Sequence, residues 1–173
     1  MQISKIVGYC LVLLGSSGLG VWYSMQMRKR VFNIKEMIRI LDLVKSEMNY
    51  HHSTLPECCG LVFEKAKEPY KTLFYTIHET FQQGNGRGLD ILCEEVLEEG
   101  LQKLPLKEEK ELFIQCFSDI GYSDVWMQYQ NMERNEKQLK GILDTEEMEM
   151  KTRSKLAISL GTMSGILLVL ILL

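Results

Sequence analysis

The placement of charge is what most restricts this chain. From Ile6 to Met27 there are 22 residues without a charge, and from Leu156 to Leu173 there are 18 more. At 1.5 Å of rise per residue, helices of these lengths reach about 33 Å and about 27 Å, against a hydrocarbon core of about 30 Å. The second run, which contains SLGTMSGILLVLILL, has no polar face after Ser164, so it predicts a membrane helix and not the core helix of a soluble fold. The first run is interrupted by Gly8, Gly15, Ser16, Ser17, Gly18, Gly20 and Ser24, small residues of the kind that let membrane helices pack closely. Its glycines follow no single four-residue spacing, so no dimer motif is assigned. Lys5 and the apolar residues to Leu14 also have the outline of a secretory signal. The run continues to Met27 without an A-x-A-like site, although the small residues of GSSG leave processing open, and an uncleaved anchor is expected.

The charges that flank these runs fix an expected orientation. Arg28, Lys29 and Arg30 follow the first run, with Lys35 and Arg39 close behind, and Lys151, Arg153 and Lys155 precede the second. Basic residues stay on the cytoplasmic side, so both flanks place the intervening residues in the cytoplasm. Three segments are expected: a transmembrane helix at 1–27, a cytoplasmic domain at 28–155 and a second transmembrane helix at 156–173. The domain holds all 23 acidic residues and, with Lys5 set aside from the 20 basic ones, 19 cations, for a net charge of −4. That balance argues against a basic nucleic-acid binder. The whole pattern also excludes a simple soluble enzyme, a disordered chain and a polytopic transporter. Cys10, Cys58, Cys59, Cys93 and Cys116 are odd in number and match no zinc spacing, which points to reduced thiols, partly buried.

Within the domain, apolar residues recur at helical spacing. Ile34, Met37, Ile38, Leu41, Val44 and Met48 form one stripe between Arg28 and Tyr50, on a helix that no Gly or Pro separates from the first membrane run. Thr54, Pro56 and Glu57 mark the start of a second helix, which carries Leu55, Cys58, Leu61, Val62 and Ala66. Pro69 opens a third, with Leu73, Phe74, Ile77 and Phe81 inward, ending at GNGRG. A fourth is expected from Leu89 to Glu99, with Gly100 and Pro105 in the turn that follows. A fifth runs from Leu106 to Ile120, with Leu112, Phe113, Cys116, Phe117 and Ile120 inward and Gly121 after it. From Asp124, capped by Ser123, a last helix of some 50 residues continues into the second apolar run. The expected fold is all-α, a bundle of about six helices whose first and last members extend into the membrane.

Motifs for chemistry are missing. GNGRG follows an amphipathic helix and lacks the strand and the GK[ST] ending of a phosphate loop. His51 and His52 are adjacent, His78 has no second histidine at ligand spacing, and no activated nucleophile is evident. Glu94, Glu95, Glu98 and Glu99, and then Glu108, Glu109 and Glu111, interleave with apolar stripes and are expected to form solvated faces. An acidic docking face for a basic partner is the functional alternative. Trp126 and Tyr129, three apart, are expected to pack in the bundle, with use at an interface as the functional alternative. No cofactor, metal or catalytic residue is assigned.

Three stretches resemble the stage III sporulation protein AB family of endospore-forming bacteria. The first is Glu47-Met48-Asn49-Tyr50 followed by Leu55-Pro56-Glu57. The second is Gly121-x-x-Asp124-x-x-x-Gln128, leading into the long last helix. The third is Lys155 through Ser159-Leu160-Gly161 and Gly165 to the aliphatic tail. The chain departs from the family at Cys58-Cys59-Gly60, where Ala-Leu is usual, and in lacking a tryptophan in mid-domain. The resemblance implies a non-enzymatic platform component with a domain similar to that of the type II secretion system protein F. Such a component links a cytoplasmic ATPase, the AA protein of the same system, to a secretion-like complex between mother cell and forespore. It further implies other membrane components of that complex as partners, contact with membrane lipid, and the mother-cell membrane around the forespore as location. No nucleic acid is implied, and a homo-oligomer is compatible with the sequence. The matching positions are Glu47, Tyr50, Pro56, Glu57, Gly121, Asp124 and Gln128. The alternative is a membrane-anchored regulatory adaptor that recruits a cytosolic partner.

Overall fold

A computed structural model describes residues 2–50, 55–83, 88–118 and 125–172, without the side chains of 2–7, 9–14, 16, 17, 55, 56, 89, 118, 125 and 172. The described residues form helices and no strand: α1 (Gln2–Tyr50), α2 (Leu55–Lys65), α3 (Tyr70–Gln82), α4 (Leu89–Leu101), α5 (Glu108–Ser118) and α6 (Val125–Leu172). The expected capping residue Thr54, most of GNGRG, Ile120, Gly121, Ser123 and Asp124 lie outside the described residues. The chain divides into two compact units. One is Phe32–Leu143, and the other joins Met1–Val31 with Asp144–Leu173. Both α1 and α6 are single helices that contribute to each unit.

The Phe32–Leu143 unit is a helical bundle with a core that follows from helical periodicity. Every residue of the expected α1 stripe is buried, from Ile34 to Met48. Tyr70, Phe74 and Ile77 face inward at successive turns of α3, which begins directly after Pro69. Phe113 sits among three aromatic neighbours, edge-on to Tyr70 at 5.8 Å, to Phe74 at 6.4 Å and to Phe117 at 5.3 Å between ring centroids. Such geometry sets the electron-poor ring edge against the electron-rich face.

Four positions differ from what the sequence pattern predicts. Phe81 is 40% exposed, because the last turn of α3 reaches past the elements that cover its stripe. Trp126 is 69% exposed and does not pack in the bundle, while Tyr129 is half-buried. Gly100 lies within α4 and not in the turn after it, and its missing Cβ leaves room for the Leu73 side chain of α3. Glu109 is fully buried, whereas Glu94, Glu95, Glu98 and Glu99 are solvated as expected. It occupies the first turn of α5, where the free backbone amides favour a carboxylate.

The second unit pairs α1 with α6 by other means. A Cβ on Gly20 would lie 2.6 Å from the Ala157 carbonyl oxygen, so only glycine admits that backbone approach. One turn further along α1, the buried hydroxyls of Ser24 and Ser154 are hydrogen-bonded at 2.5 Å. Arg30 then pairs with Glu146 at 2.9 Å. The large apolar residues turn away from this seam: Leu19, Trp22, Leu156, Leu160, Leu167 and Ile171 are exposed. α6 is long and apolar enough to cross a membrane, and 11% of its most apolar stretch is buried. A soluble core helix would bury that stretch, so α6 suits association with a membrane.

Candidate functional site

Two polar clusters tie the elements of the bundle together. In the first, Glu36 of α1 accepts hydrogen bonds from Arg39 Nε at 3.0 Å and Nη2 at 2.5 Å, and from the Lys67 amide at 2.7 Å. Arg39 Nη2 also donates to the Lys65 carbonyl at 2.7 Å, so one carboxylate and one guanidinium hold the α2–α3 connection against α1. Burial pushes the Glu36 carboxyl up, but the Arg39 and Lys67 hydrogen bonds outweigh it and hold the group below the ordinary carboxylate range.

The second cluster joins α1 to α6. Glu136 is buried and is paired with both Lys45 and Lys140. Burial works against its charge, yet Lys140 and Lys45 together keep it ionised below the ordinary range. Burial likewise lowers Lys45, and Glu136 with Asp42 more than reverses this. Beside them, Asn135 donates to the Leu112 carbonyl at 3.3 Å and to Cys116 Sγ at 3.6 Å. Its buried Oδ1 has no hydrogen-bond partner among the described residues.

These pairs set the position of the family-motif residues. Lys45 meets Glu136 while Asp42 acts on Lys140, so α1 and α6 run in opposite directions here. The last turn of α1, with Glu47 and Tyr50, therefore shares one end of the bundle with Gln128 at the start of α6. Glu57 of α2 joins them, since the charges of Glu47 and Glu57 both act on Cys58. Tyr50 is 78% exposed at this end, and Trp126 and Met127 are exposed in the first turn of α6. Pro56 opens α2, and Gly121 and Asp124 lie outside the described residues. The exposure of Trp126 favours the interface alternative over packing in the bundle, and Met127 beside it had no signal of its own in the sequence, because an aromatic at helical spacing has the same pattern on a buried stripe.

The thiols are set up as core residues. Cys58, Cys59, Cys93 and Cys116 are free and buried. Burial, with nearby negative groups, pushes the Cys58 thiol up to about 12. Burial likewise pushes Cys116 up to about 12 against the Asn135 hydrogen bond. Cys93 is raised by its hydrogen bond with Cys59 and by burial. Protonated thiols are weak nucleophiles and weak metal ligands. His78 stacks on Phe63 with centroids 6.0 Å apart and hydrogen-bonds Gln82 at 3.0 Å. Among the described residues no group of three His, Cys, Asp or Glu could hold a metal ion.

The helices and the exposed apolar end of α6 define a membrane-associated, all-helical bundle protein whose polar groups brace helices. The profile of the family described as stage III sporulation protein AB matches residues 5–173, so the chain belongs to that family of sporulation proteins. A solved structure of stage III sporulation protein AB is similar, with a TM-score of 0.62 and 20% identity, covering 70% of this chain and 96% of that one. At that identity the likeness concerns the fold. No curated protein matches the chain.

Proposed function

We propose that this protein is a two-pass, non-enzymatic platform component of a secretion-like sporulation complex. Its domain faces the cytoplasm and couples an AA-type ATPase of the same system to the envelope complex. Its place is the mother-cell membrane around the forespore. The observation that carries this reading is the continuity of α1 and α6, each a single helix from the apolar segment into the bundle. In this proposal each helix carries a displacement of the domain into its apolar segment. The Lys45–Glu136 pair joins the same two helices within the bundle. The end that carries Glu47, Tyr50, Glu57, Gln128 and the exposed Trp126 is the docking face for the ATPase in this proposal. Exposed aromatics at a helix end provide large anchors at low entropic cost.

A flexible glycine linker inserted after Lys155 tests the coupling. Sporulation is expected to stop while the protein accumulates normally in the membrane. An anchored adaptor that only recruits its partner tolerates such a linker, so normal spore yield would move that alternative ahead.

A further inference from the structure

The unit formed by Met1–Val31 and Asp144–Leu173 gathers cations that lie far apart in sequence. Gly20 against Ala157 and Ser24 against Ser154 fix the register of the two helices. Counted from the Ser24–Ser154 level, Lys155 lies one residue to the apolar side. Arg153, Lys151, Arg28, Lys29 and Arg30 lie one to six residues to the other side. At 1.5 Å per residue, all six cations fall within a slab about 11 Å thick. That is close to the screening length of about 8 Å at physiological salt, so neighbouring charges in the slab act together.

Glu146, Glu147 and Glu149 lie toward the edge away from the apolar segments. Glu146 pairs with Arg30, and Glu149 takes Arg153 at 3.0 Å. Arg28, Lys151 and Lys155 are exposed around the helix pair. At the apolar edge of the same slab, Trp22 and Tyr23 are exposed, 60% and 43%. Aromatic rings with one polar end settle at the level of lipid headgroups. A collar of cations edged by such rings and continued by bare aliphatic side chains matches a phospholipid in both its parts. A soluble acidic partner would use the cations and leave the aliphatic edge uncovered.

We propose that this collar is a binding surface for anionic phospholipid headgroups, with Arg28, Lys151 and Lys155 as the cations that enrich them around the helix pair. Juxtamembrane clusters of this size attract anionic lipid beyond what topology requires. The inference rests on the membrane-spanning part of the proposed function, and the experiment separates the two.

Trp126→Phe leaves Trp22 as the sole tryptophan of the full-length chain. This variant is reconstituted into phosphatidylcholine vesicles that contain a minor fraction of lipid brominated near the carbonyl end of its chains. The brominated lipid is either phosphatidylglycerol or phosphatidylcholine. Quenching of Trp22 is expected to be roughly threefold more effective with brominated phosphatidylglycerol. That preference is expected to fall to parity when Arg28, Lys151 and Lys155 are changed to Gln, and to shrink at high salt. Equal quenching by the two lipids keeps Trp22 in the bilayer and overturns the lipid-selective surface. Absence of quenching by either lipid overturns the spanning reading and the inference with it. A preference that survives the three substitutions overturns the assignment to these side chains.

Discussion

The two units are built from the same two long helices but stabilised in opposite ways. In Phe32–Leu143 the large apolar side chains point inward, and the aromatic group around Phe113 is fully buried. In the other unit the large side chains point outward, and the contact between α1 and α6 includes the small residues Gly20, Ser24, Ser154 and Ala157 beside the Arg30–Glu146 pair. Water drives the first arrangement by about 25 cal/mol per Å² of apolar surface removed from it. It would disfavour the second, whose outward apolar side chains suit surroundings as apolar as leucine. There, close backbone approach and a hydroxyl pair hold helices together instead. One helix can therefore serve two solvents by changing which of its faces carries the small residues.

Truncating the aromatic centre gives the largest contrast. Phe113→Ala is expected to cost about 3–5 kcal/mol, read as a lower denaturation midpoint of the full chain in mild detergent. Trp22→Ala is expected to leave that midpoint in place. Equal losses from both would mean that the two units do not differ in what stabilises them.

Acid tests the polar braces of the bundle. Glu36 and Glu136 are held below the ordinary carboxylate range in the folded chain. Unfolded, they would take up protons at pH of about 4.3, so their contribution is complete above that value and is lost as pH falls through the lower, folded values. Stability of the bundle is expected to drop in that window. Glu36→Gln is expected to cost about 2 kcal/mol at pH 7 and to flatten the acid-side slope. An unchanged slope would assign the acid sensitivity to other groups.

The smallest effect on the bundle is expected from a change in the seam. Gly20→Leu forces α1 from the Ala157 carbonyl, at a cost of about 1–3 kcal/mol to the helix pair in a bilayer. Disulfide yield between Ser24→Cys and Ser154→Cys is expected to fall, with the bundle midpoint unchanged. An undiminished yield would remove the seam as the reason these helices pair.

Periodicity made the bundle legible. The α1 stripe, the start of α3 and the aromatic positions of α5 follow from residues recurring at 3.6-residue spacing, because one face must leave water wherever the helix packs. The errors have two causes. Phe81 and Trp126 continue their patterns past the point where other elements cover them, and a pattern carries no information on where its cover ends. Gly100 looks like a stop signal, since a glycine that ends a helix and one that admits a neighbouring leucine are the same residue. Glu36 and Arg39 are three apart and readable as a surface pair, yet their place against Lys65 and Lys67 arises from residues 26 to 31 positions away. All seven motif positions are nameable from the chain, Glu47, Tyr50, Glu57 and Gln128 among them. That these four share one end of the bundle required the antiparallel register of α1 and α6.

The sequence by itself determined the helical class, the two uncharged runs and the family, because each is a property of local order along the chain. Only the tertiary structure decided that Gly20 and Ser24 meet Ala157 and Ser154 some 130 residues away, and that six cations share one level as a result. Contacts of that separation depend on the rotation and register of whole helices, which are set by side-chain shape at the interface and by the surrounding solvent, and a one-residue shift would move every partner to a different face.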